Sequence, residues 1–103
     1  IGHTFYAQRV PRTALNTEAK RLLLGHAFDA MGCSVVEFRT HVFNQRSRAA
    51  ILRLGAHFDG ILRRNLRMPD GHLRDTAVYS IIDSEWPVVR RNLDHRLEHG
   101  GGA

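Results

Sequence analysis

The stretch that decides the fold is residues 16–42, "NTEAKRLLLGHAFDAMGCSVVEFRTHV". Its first half has a helical period, because small and apolar side chains return on one face. That face consists of Ala19, Leu22, Leu23, His26, Ala27 and Ala30, widened by Leu24, Phe28 and Met31. Asn16 is a suitable N-cap, and Gly32 is a suitable stop just beyond the last turn. The pattern predicts a helix from about Asn16 to Met31.

The second half of the stretch has a period of two, which is typical of a strand. From Ser34 to Val42, alternate residues divide into a mainly apolar face and a more polar one. The apolar face holds Val36, Phe38, Thr40 and Val42, and the other holds Val35, Glu37, Arg39 and His41. A strand is therefore predicted immediately after the helix.

Residues 1–7, "IGHTFYA", carry strand-forming aromatics and a threonine ahead of the helix. A strand, a helix and a second strand in this order form a βαβ unit, so the two strands should lie parallel. Downstream, "FNQRSRAAILRLG" (residues 43–55) predicts a short helix that ends at Gly55. The first half of the chain is thus predicted to be α/β.

Two further extended runs, residues 56–67 and 74–83, flank the turn residues Pro69, Asp70 and Gly71, which predicts a hairpin. A last helix should follow, capped by Asp83 or Ser84 and tolerating Pro87 in its first turn. Its apolar side consists of Trp86, Val89, Leu93 and Leu97.

The order β-α-β-α-β-β-α predicts a mixed α/β (α+β) domain with one mixed sheet. At 103 residues the chain has the size of a single domain. We expect that domain to occupy residues 1–99, with residues 100–103 as a flexible tail.

Composition narrows the classes of function. The formal net charge is +5, and Lys20 is the only lysine among 15 cationic residues. The arginines are spread along the chain, and their densest group, Arg63, Arg64 and Arg67, has no interleaved aromatics, so a solvated basic surface is favoured over a nucleic-acid site. No apolar run approaches the roughly 20 residues of a membrane span. The single cysteine, Cys33, excludes an intrachain disulfide and favours a reducing compartment, which we take to be the cytoplasm.

The helix in residues 43–55 carries polar side chains at its start. At about 100° per residue, Ser47 falls on the inward stripe with Ala50, Ile51 and Leu54, and Asn44 lies at the edge of that stripe. Arg46 and Arg53 point away from it. Asn44 and Ser47 are then either capping residues or residues with a binding or catalytic function, and the spacing alone supports both interpretations.

The start of the first helix is a second candidate. Unpaired amides at a helix N-terminus bind anions, and "VPRTALNTEAK" (residues 10–20) follows the first strand of the βαβ unit. The loop is not glycine-rich, so neither the dinucleotide fingerprint nor the P-loop is present. An ordinary capped helix is the alternative.

Three segments together resemble the C-terminal part of RimJ/RimL-like N-acetyltransferases of the GNAT superfamily. They are "NTEAK" (16–20), "FRT…N..SR.AI..LGA" (38–56) and "MPDG…RDT..YSI…EWP" (68–87). The likeness implies a GNAT-like mixed sheet without the N-terminal strands and helices of the full fold. It also implies an enzyme that moves an acetyl group from acetyl-CoA to a primary amine, on a protein N-terminus or a small molecule.

The resemblance also implies the site residues. Phe5, Tyr6 and Ala7 would end the strand that pairs with the pantetheine arm. Asn44 would bind the same arm, with Arg48 beside it, and Ser47 would be the catalytic acid that protonates the departing thiolate. The pyrophosphate would meet the loop and helix start formed by Arg12, Thr13, Ala14, Leu15, Asn16 and Thr17. Pro11 departs from the family pattern and removes one possible amide donor.

Other interpretations remain. The chain could be a non-catalytic truncated module that forms a homodimer, or binds a partner, through an open sheet edge. His95, Glu98 and His99 fit an H-x-x-E-H zinc pattern, but a solvated helix end is favoured and no metal is expected. Cys33 and Tyr79 are predicted to be packing residues.

Overall fold

The computed structural model describes residues 3–7 and 17–99. The strands are β1 (His3–Ala7), β2 (Cys33–His41), β3 (His57–Arg67) and β4 (Leu73–Ile82). The helices are α1 (Thr17–Gly25), α2 (Gln45–Arg53) and α3 (Trp86–Glu98). Their order is the predicted one. The limits of the domain stay a prediction, and the tail lies outside the described residues.

The four strands form one mixed sheet in the order β1-β2-β4-β3. β1 runs parallel to β2, whereas β2–β4 and β3–β4 are antiparallel. The predicted parallel pair and the predicted hairpin are both confirmed. β2 begins at Cys33 and ends at His41, one residue earlier at each end than the predicted strand from Ser34 to Val42.

The core lies on one face of this sheet. Val36 pairs with Ile81 and Phe38 with Tyr79, and directly opposed residues share a face. These four side chains are buried in a cluster with residues of all three helices: Leu24 from α1, Ile51 from α2, and Trp86, Val89 and Leu93 from α3. Glu37, Arg39 and His41 project from the opposite face and take no part in the cluster. The described chain is thus a two-layer structure with its helices on one side.

The end of the first helix differs from a regular α-helix. Residues His26–Ala30 continue α1 as a π-helical segment, and Gly32 follows with a φ of +66°. Gly32 is therefore the predicted stop in the left-handed region. The segment buries Phe28, whose ring stacks on Trp86 at 5.4 Å between centroids, and aims Asp29 at the same indole. Asn16 lies outside the described residues.

The predicted cap of the last helix is wrong. Asp83 and Ser84 lie inside a 3-10 turn, Asp83–Glu85, that leads directly into α3, and neither side chain caps a helix. Glu85 reaches back instead, and its carboxylate accepts the Ile82 N–H at 3.0 Å. The helical path therefore begins at Asp83, one or two residues earlier than expected, with Ile82 before its first residue. Leu97, in the last turn, is 39% exposed and lies beyond the core.

The two end strands of the sheet differ. β3 is exposed along almost its whole length, and its register with β4 shifts twice. Arg64 sits within one of these irregularities with a φ of +52°. β1 is short and carries no carboxylate or guanidinium. In the described ranges, no helix is long and apolar enough to cross a membrane.

Candidate functional site

The parallel strands β1 and β2 have their carboxyl ends at the same edge of the sheet. The last described pair is Ala7 with Phe38, and β2 continues to His41. Ligands of α/β sheets commonly bind outside the carboxyl ends of parallel strands. Ala7 is buried, Phe5 packs against the core, and Tyr6 is 52% exposed. This end of the sheet is the first component of the candidate site.

The second component is the start of α2, three residues beyond β2. Asn44 is its N-cap, and Asn44 Oδ1 accepts the Ser47 backbone N–H at 3.0 Å. The capping interpretation of Asn44 is therefore confirmed. Because an amide carries donors as well as an acceptor, the cap leaves the exposed Asn44 able to donate elsewhere.

Ser47 lies on the inward side of α2, as the helical projection predicts. Its side chain is half-buried, and Ala50, Ile51 and Leu54 on the same stripe are buried. Arg46 and Arg53 are exposed. A hydroxyl is thus held at the N-terminal end of the helix, where backbone dipoles stabilise developing negative charge.

Arg48 has a structural role that the sequence did not reveal. Its Nε donates to Tyr79 Oη at 2.7 Å and its Nη1 donates to the Val42 carbonyl at 2.9 Å. The guanidinium also lies over the Phe58 ring, 5.5 Å from the centroid. Tyr79 is fully buried, so its predicted packing role is confirmed. The signal was a tyrosine in a core strand, since a buried phenol requires a polar partner.

The remaining predicted ligands belong to α1 and the segment before it. Thr17 is the first residue of α1 and is buried. Arg12, Thr13, Ala14, Leu15 and Asn16 lie outside the described residues, so the predicted pyrophosphate loop stays a prediction. The described chain therefore brings together the β1 end, the β2 end and the α2 start.

A groove of about 480 Å³ adjoins this region. It lies between the end of β2, the cap of α2 and the outer half of the β3–β4 hairpin. Its polar lining includes Arg39, His41, Asn44, Asn65, Arg74 and Thr76. The sequence did not indicate this groove. Its two arginines, Arg39 and Arg74, are 35 positions apart, and only the pairing of β2 with β4 brings their strands side by side.

Hydrogen bonds fix much of this lining. Thr76 Oγ1 donates to Asn65 Oδ1 at 2.7 Å, and Arg74 Nε donates to Thr76 Oγ1 at 3.2 Å. His41 Nδ1 accepts the Phe43 N–H at 3.1 Å, so a neutral His41 carries its proton on Nε2. The groove is consequently rich in donors.

Two alternatives from the sequence can be placed. Cys33 is buried and unpaired, which confirms the packing interpretation. His95, in the last turn of α3, and His99, its C-cap, are exposed, and their rings contact each other at a tilt of 39° with centroids 4.1 Å apart. Within residues 3–7 and 17–99, no group of three or more His, Cys, Asp or Glu residues could hold a metal ion.

The family of the chain is shown by comparison with known proteins. The model of the Acetyltransferase (GNAT) domain matches residues 1–57, more than half of the chain. The chain therefore belongs to the GNAT acetyltransferase family.

Solved structures support this assignment. A protein classed as an acetyltransferase from T. thermophilus is 48% identical, with a TM-score of 0.75 over 78% of this chain and 43% of its own. A GCN5-related N-acetyltransferase from Brucella melitensis is 38% identical, with a TM-score of 0.75 over 79% and 36% of the two chains. RimJ from Mycobacterium smegmatis, in complex with CoA-disulfide, is 31% identical, with a TM-score of 0.68 over 84% and 39%.

The chain spans about two fifths of the length of these related structures. A comparison with curated proteins finds no significant match.

Proposed function

We propose that this chain supplies the acetyl-CoA-binding part of an N-acetyltransferase that acetylates a primary amine. The observation that carries the proposal is the position of Asn44 and Ser47 at the start of α2, just beyond the carboxyl end of β2, which is the parallel partner of β1. The family assignment supports the class of reaction. The CoA-disulfide bound to the M. smegmatis RimJ supports the choice of acetyl-CoA as co-substrate.

The residues present are suited to such a co-substrate. The pantetheine arm is a chain of amides, which needs backbone partners and an amide donor. The end of β1, formed by Phe5, Tyr6 and Ala7, would supply the backbone, and Asn44 would supply the side-chain donor. Residues 12–17 would bind the pyrophosphate through loop and helix-start amides. Arg48 would bind the same arm beside Asn44. Its hydrogen bonds to Tyr79 and to the Val42 carbonyl would limit the movement of its guanidinium.

Ser47 is assigned the acid role in the transfer. The amine nitrogen forms a bond to the thioester carbonyl carbon, and the carbon–sulfur bond then breaks. The sulfur leaves as a thiolate and takes the proton of the Ser47 hydroxyl, while the amine loses a proton to solvent or a base. A donor beside a basic leaving group lowers the barrier to its departure. The dipole of α2 stabilises the resulting serine oxyanion until it is reprotonated.

The acceptor is a protein N-terminus or a small-molecule amine, as in the RimJ/RimL-like branch that the motifs resemble. The cytoplasm is the proposed compartment, because the single cysteine is unpaired in this fold.

The second candidate is a module that assembles through a sheet edge. It is favoured by the position of β1, which is an end strand of the described sheet, carries no arginine, and has one register shift, between His3 and Thr4, against two in β3. Such an edge can pair with another strand, including that of a second copy. Size-exclusion chromatography with and without acetyl-CoA distinguishes the two candidate functions. A module that only assembles should elute as a dimer, and acetyl-CoA should not bind to it.

The test of the acetyltransferase proposal is acetyl transfer from labelled acetyl-CoA to amines, measured for wild type, Ser47→Ala and Arg46→Ala. Ser47→Ala should lower kcat at least tenfold while its KM for acetyl-CoA stays within twofold. Arg46→Ala, on the exposed side of the same helix, should behave as wild type. Transfer by Ser47→Ala at the wild-type rate would remove Ser47 from the mechanism.

A further inference from the structure

We infer that the groove beside Asn44 binds a carboxylate of the acceptor, so that the preferred acceptor is an amine with an acidic group close to it. This inference rests on the proposed function, because it names the substrate class of the same site. It starts from three properties of the groove: its charge, its rigidity and its position.

The groove is cationic. Arg39 and Arg74 line it, and no Asp or Glu lines it. Arg39 Nε pairs with Glu37 Oε1 at 2.7 Å, which offsets one of the two charges. Among the residues that the structure describes, no carboxylate forms an ion pair with Arg74. Arg74 thus supplies a positive charge with no carboxylate partner.

The Arg74 guanidinium is also held in place. Its Nε donates to Thr76 Oγ1, and Thr76 is buried and bonded in turn to Asn65. With Nε engaged, the terminal nitrogens are left for a ligand. Arginine binds carboxylates best when it presents two donors in a fixed plane, and a side chain that is already ordered loses less entropy on binding. This arrangement favours specific recognition over general attraction to anions.

The position connects the groove to the reaction. Asn44 lines the groove and caps the helix that carries Ser47. A molecule in the groove therefore lies against the start of α2, where the acetyl group is proposed to be transferred. The volume of about 480 Å³ is within the usual range for a small-molecule or short-peptide site.

His41 acts in this groove as a donor. Its Nδ1 already accepts the Phe43 N–H, so the neutral ring presents an N–H at Nε2. It can therefore donate to an oxygen of the ligand, but in this tautomer it cannot take a proton from an amine at Nε2. This supports a role in acceptor binding and argues against one as the base.

The experiment measures binding of two matched peptides, amidated Ser-Glu-Glu and amidated Ser-Gln-Gln, by NMR titration of the chain without acetyl-CoA. The acidic peptide should bind at least tenfold more tightly and shift the amide resonances of Arg74 and Thr76. Arg74→Gln should abolish that preference. Arg63→Gln is the matched control, since it removes the same charge from the neighbouring strand, outside the groove, and should change the affinity less than twofold.

Equal binding of the two peptides would overturn the inference. So would equal losses in Arg74→Gln and Arg63→Gln, because general charge attraction would then explain the binding. Free glutamate serves as a third probe: affinity equal to that of the acidic peptide supports a small-molecule acceptor, and weaker affinity supports a peptide N-terminus.

The failures of the two proposals are distinguishable. If the acidic peptide binds through Arg74 but acetyl-CoA does not bind, the proposed function fails and the carboxylate site stands. If acetyl transfer occurs with equal kcat/KM for both peptides, the proposed function stands and the carboxylate site fails.

Discussion

Arg48 Nε donates to Tyr79 Oη at 2.7 Å, and this bond joins the start of α2 to the central part of β4. Tyr79 is fully buried, so its hydroxyl has to be satisfied within the protein. The same guanidinium donates to the Val42 carbonyl, just before the cap of α2. One side chain therefore sets the position of α2, and with it the positions of Asn44 and Ser47, relative to the sheet.

Removing the Tyr79 hydroxyl should destabilise the protein. Tyr79→Phe keeps the ring in the core but deprives Arg48 of an acceptor, and a hydrogen bond to a charged group is worth about 1.5–3 kcal/mol. We expect a loss of about 1–2 kcal/mol in urea unfolding. Arg46→Ala, at an exposed position of α2, should stay within about 0.5 kcal/mol of wild type. An unchanged unfolding midpoint for Tyr79→Phe would show that the bond does not hold α2.

The contact between Asp29 and Trp86 makes a second prediction. Trp86 is buried, and its indole N–H donates to Asp29 Oδ1 at 3.0 Å across the α1–α3 contact. Asp29→Ala leaves that donor without its partner and should cost about 1–3 kcal/mol. Asp29→Asn keeps an acceptor oxygen and should cost much less. The chain has one tryptophan, so its fluorescence during urea unfolding reports on this site directly. Equal losses for both substitutions would contradict the assigned bond.

Asn44 is assigned two functions that substitutions can separate. Asn44→Ala removes the cap and should cost about 1 kcal/mol. Asn44→Asp keeps an oxygen for the Ser47 N–H but removes the amide donors, so its stability should match wild type. If Asn44 also binds the pantetheine arm, Asn44→Asp should weaken acetyl-CoA binding at least tenfold. Full affinity in the stable Asn44→Asp variant would limit Asn44 to capping.

Lys20 gives a prediction about pH. Partial burial lowers the pKa of the Lys20 ammonium below its usual 10.5, and the nearby cations Arg53 and Arg96 lower it further. The folded state therefore releases this proton at a lower pH than the unfolded state. Below the folded pKa, the charged lysine opposes folding in full. As pH rises from that value toward 10.5, the unfolded state holds more protons and stability should increase.

Replacing Lys20 with methionine tests this. Lys20→Met should raise the melting temperature at pH 7, and the difference from wild type should shrink as pH approaches 10.5. Arg46→Met is the control for a simple reduction of net charge. The difference in melting temperature between Arg46→Met and wild type should not shrink as pH approaches 10.5. A Lys20→Met effect that is constant from about pH 7 to pH 10.5 would contradict the assignment.

Much of the fold could be predicted from periodicity. The alternation through Val36 and Phe38 corresponds to a buried face. The predicted helical stripe is only partly correct: Leu24, Ala27 and Phe28 are buried, whereas Leu22, His26, Ala30 and Met31 are exposed. The cap at Asn44 was also predictable, because it depends on a residue and an amide three positions away. Such features are local, so a single sequence contains the information for them.

The errors and omissions are of another kind. The start of α3 was misplaced because Glu85 satisfies the Ile82 amide from within the turn, and Asp83 and Ser84 were equally good caps by residue type. The bond from Arg48 to Tyr79 and the presence of both Arg39 and Arg74 in one groove depend on which strands pair and in which register. The register of strands that are distant in the sequence depends on the hydrophobic patterns of both strands and on the turns between them, so neither segment alone determines it. The groove therefore could not be predicted from the sequence alone.

The most direct test of the central claim is a thermal melt of the chain with and without millimolar acetyl-CoA. A ligand that binds only the folded state raises its stability by RT ln(1 + [L]/Kd), which is about 2.7 kcal/mol at a hundredfold excess over Kd. The account predicts a melting temperature that rises with acetyl-CoA concentration, and a much smaller rise for Asn44→Asp. A melting temperature that does not respond to acetyl-CoA would contradict it.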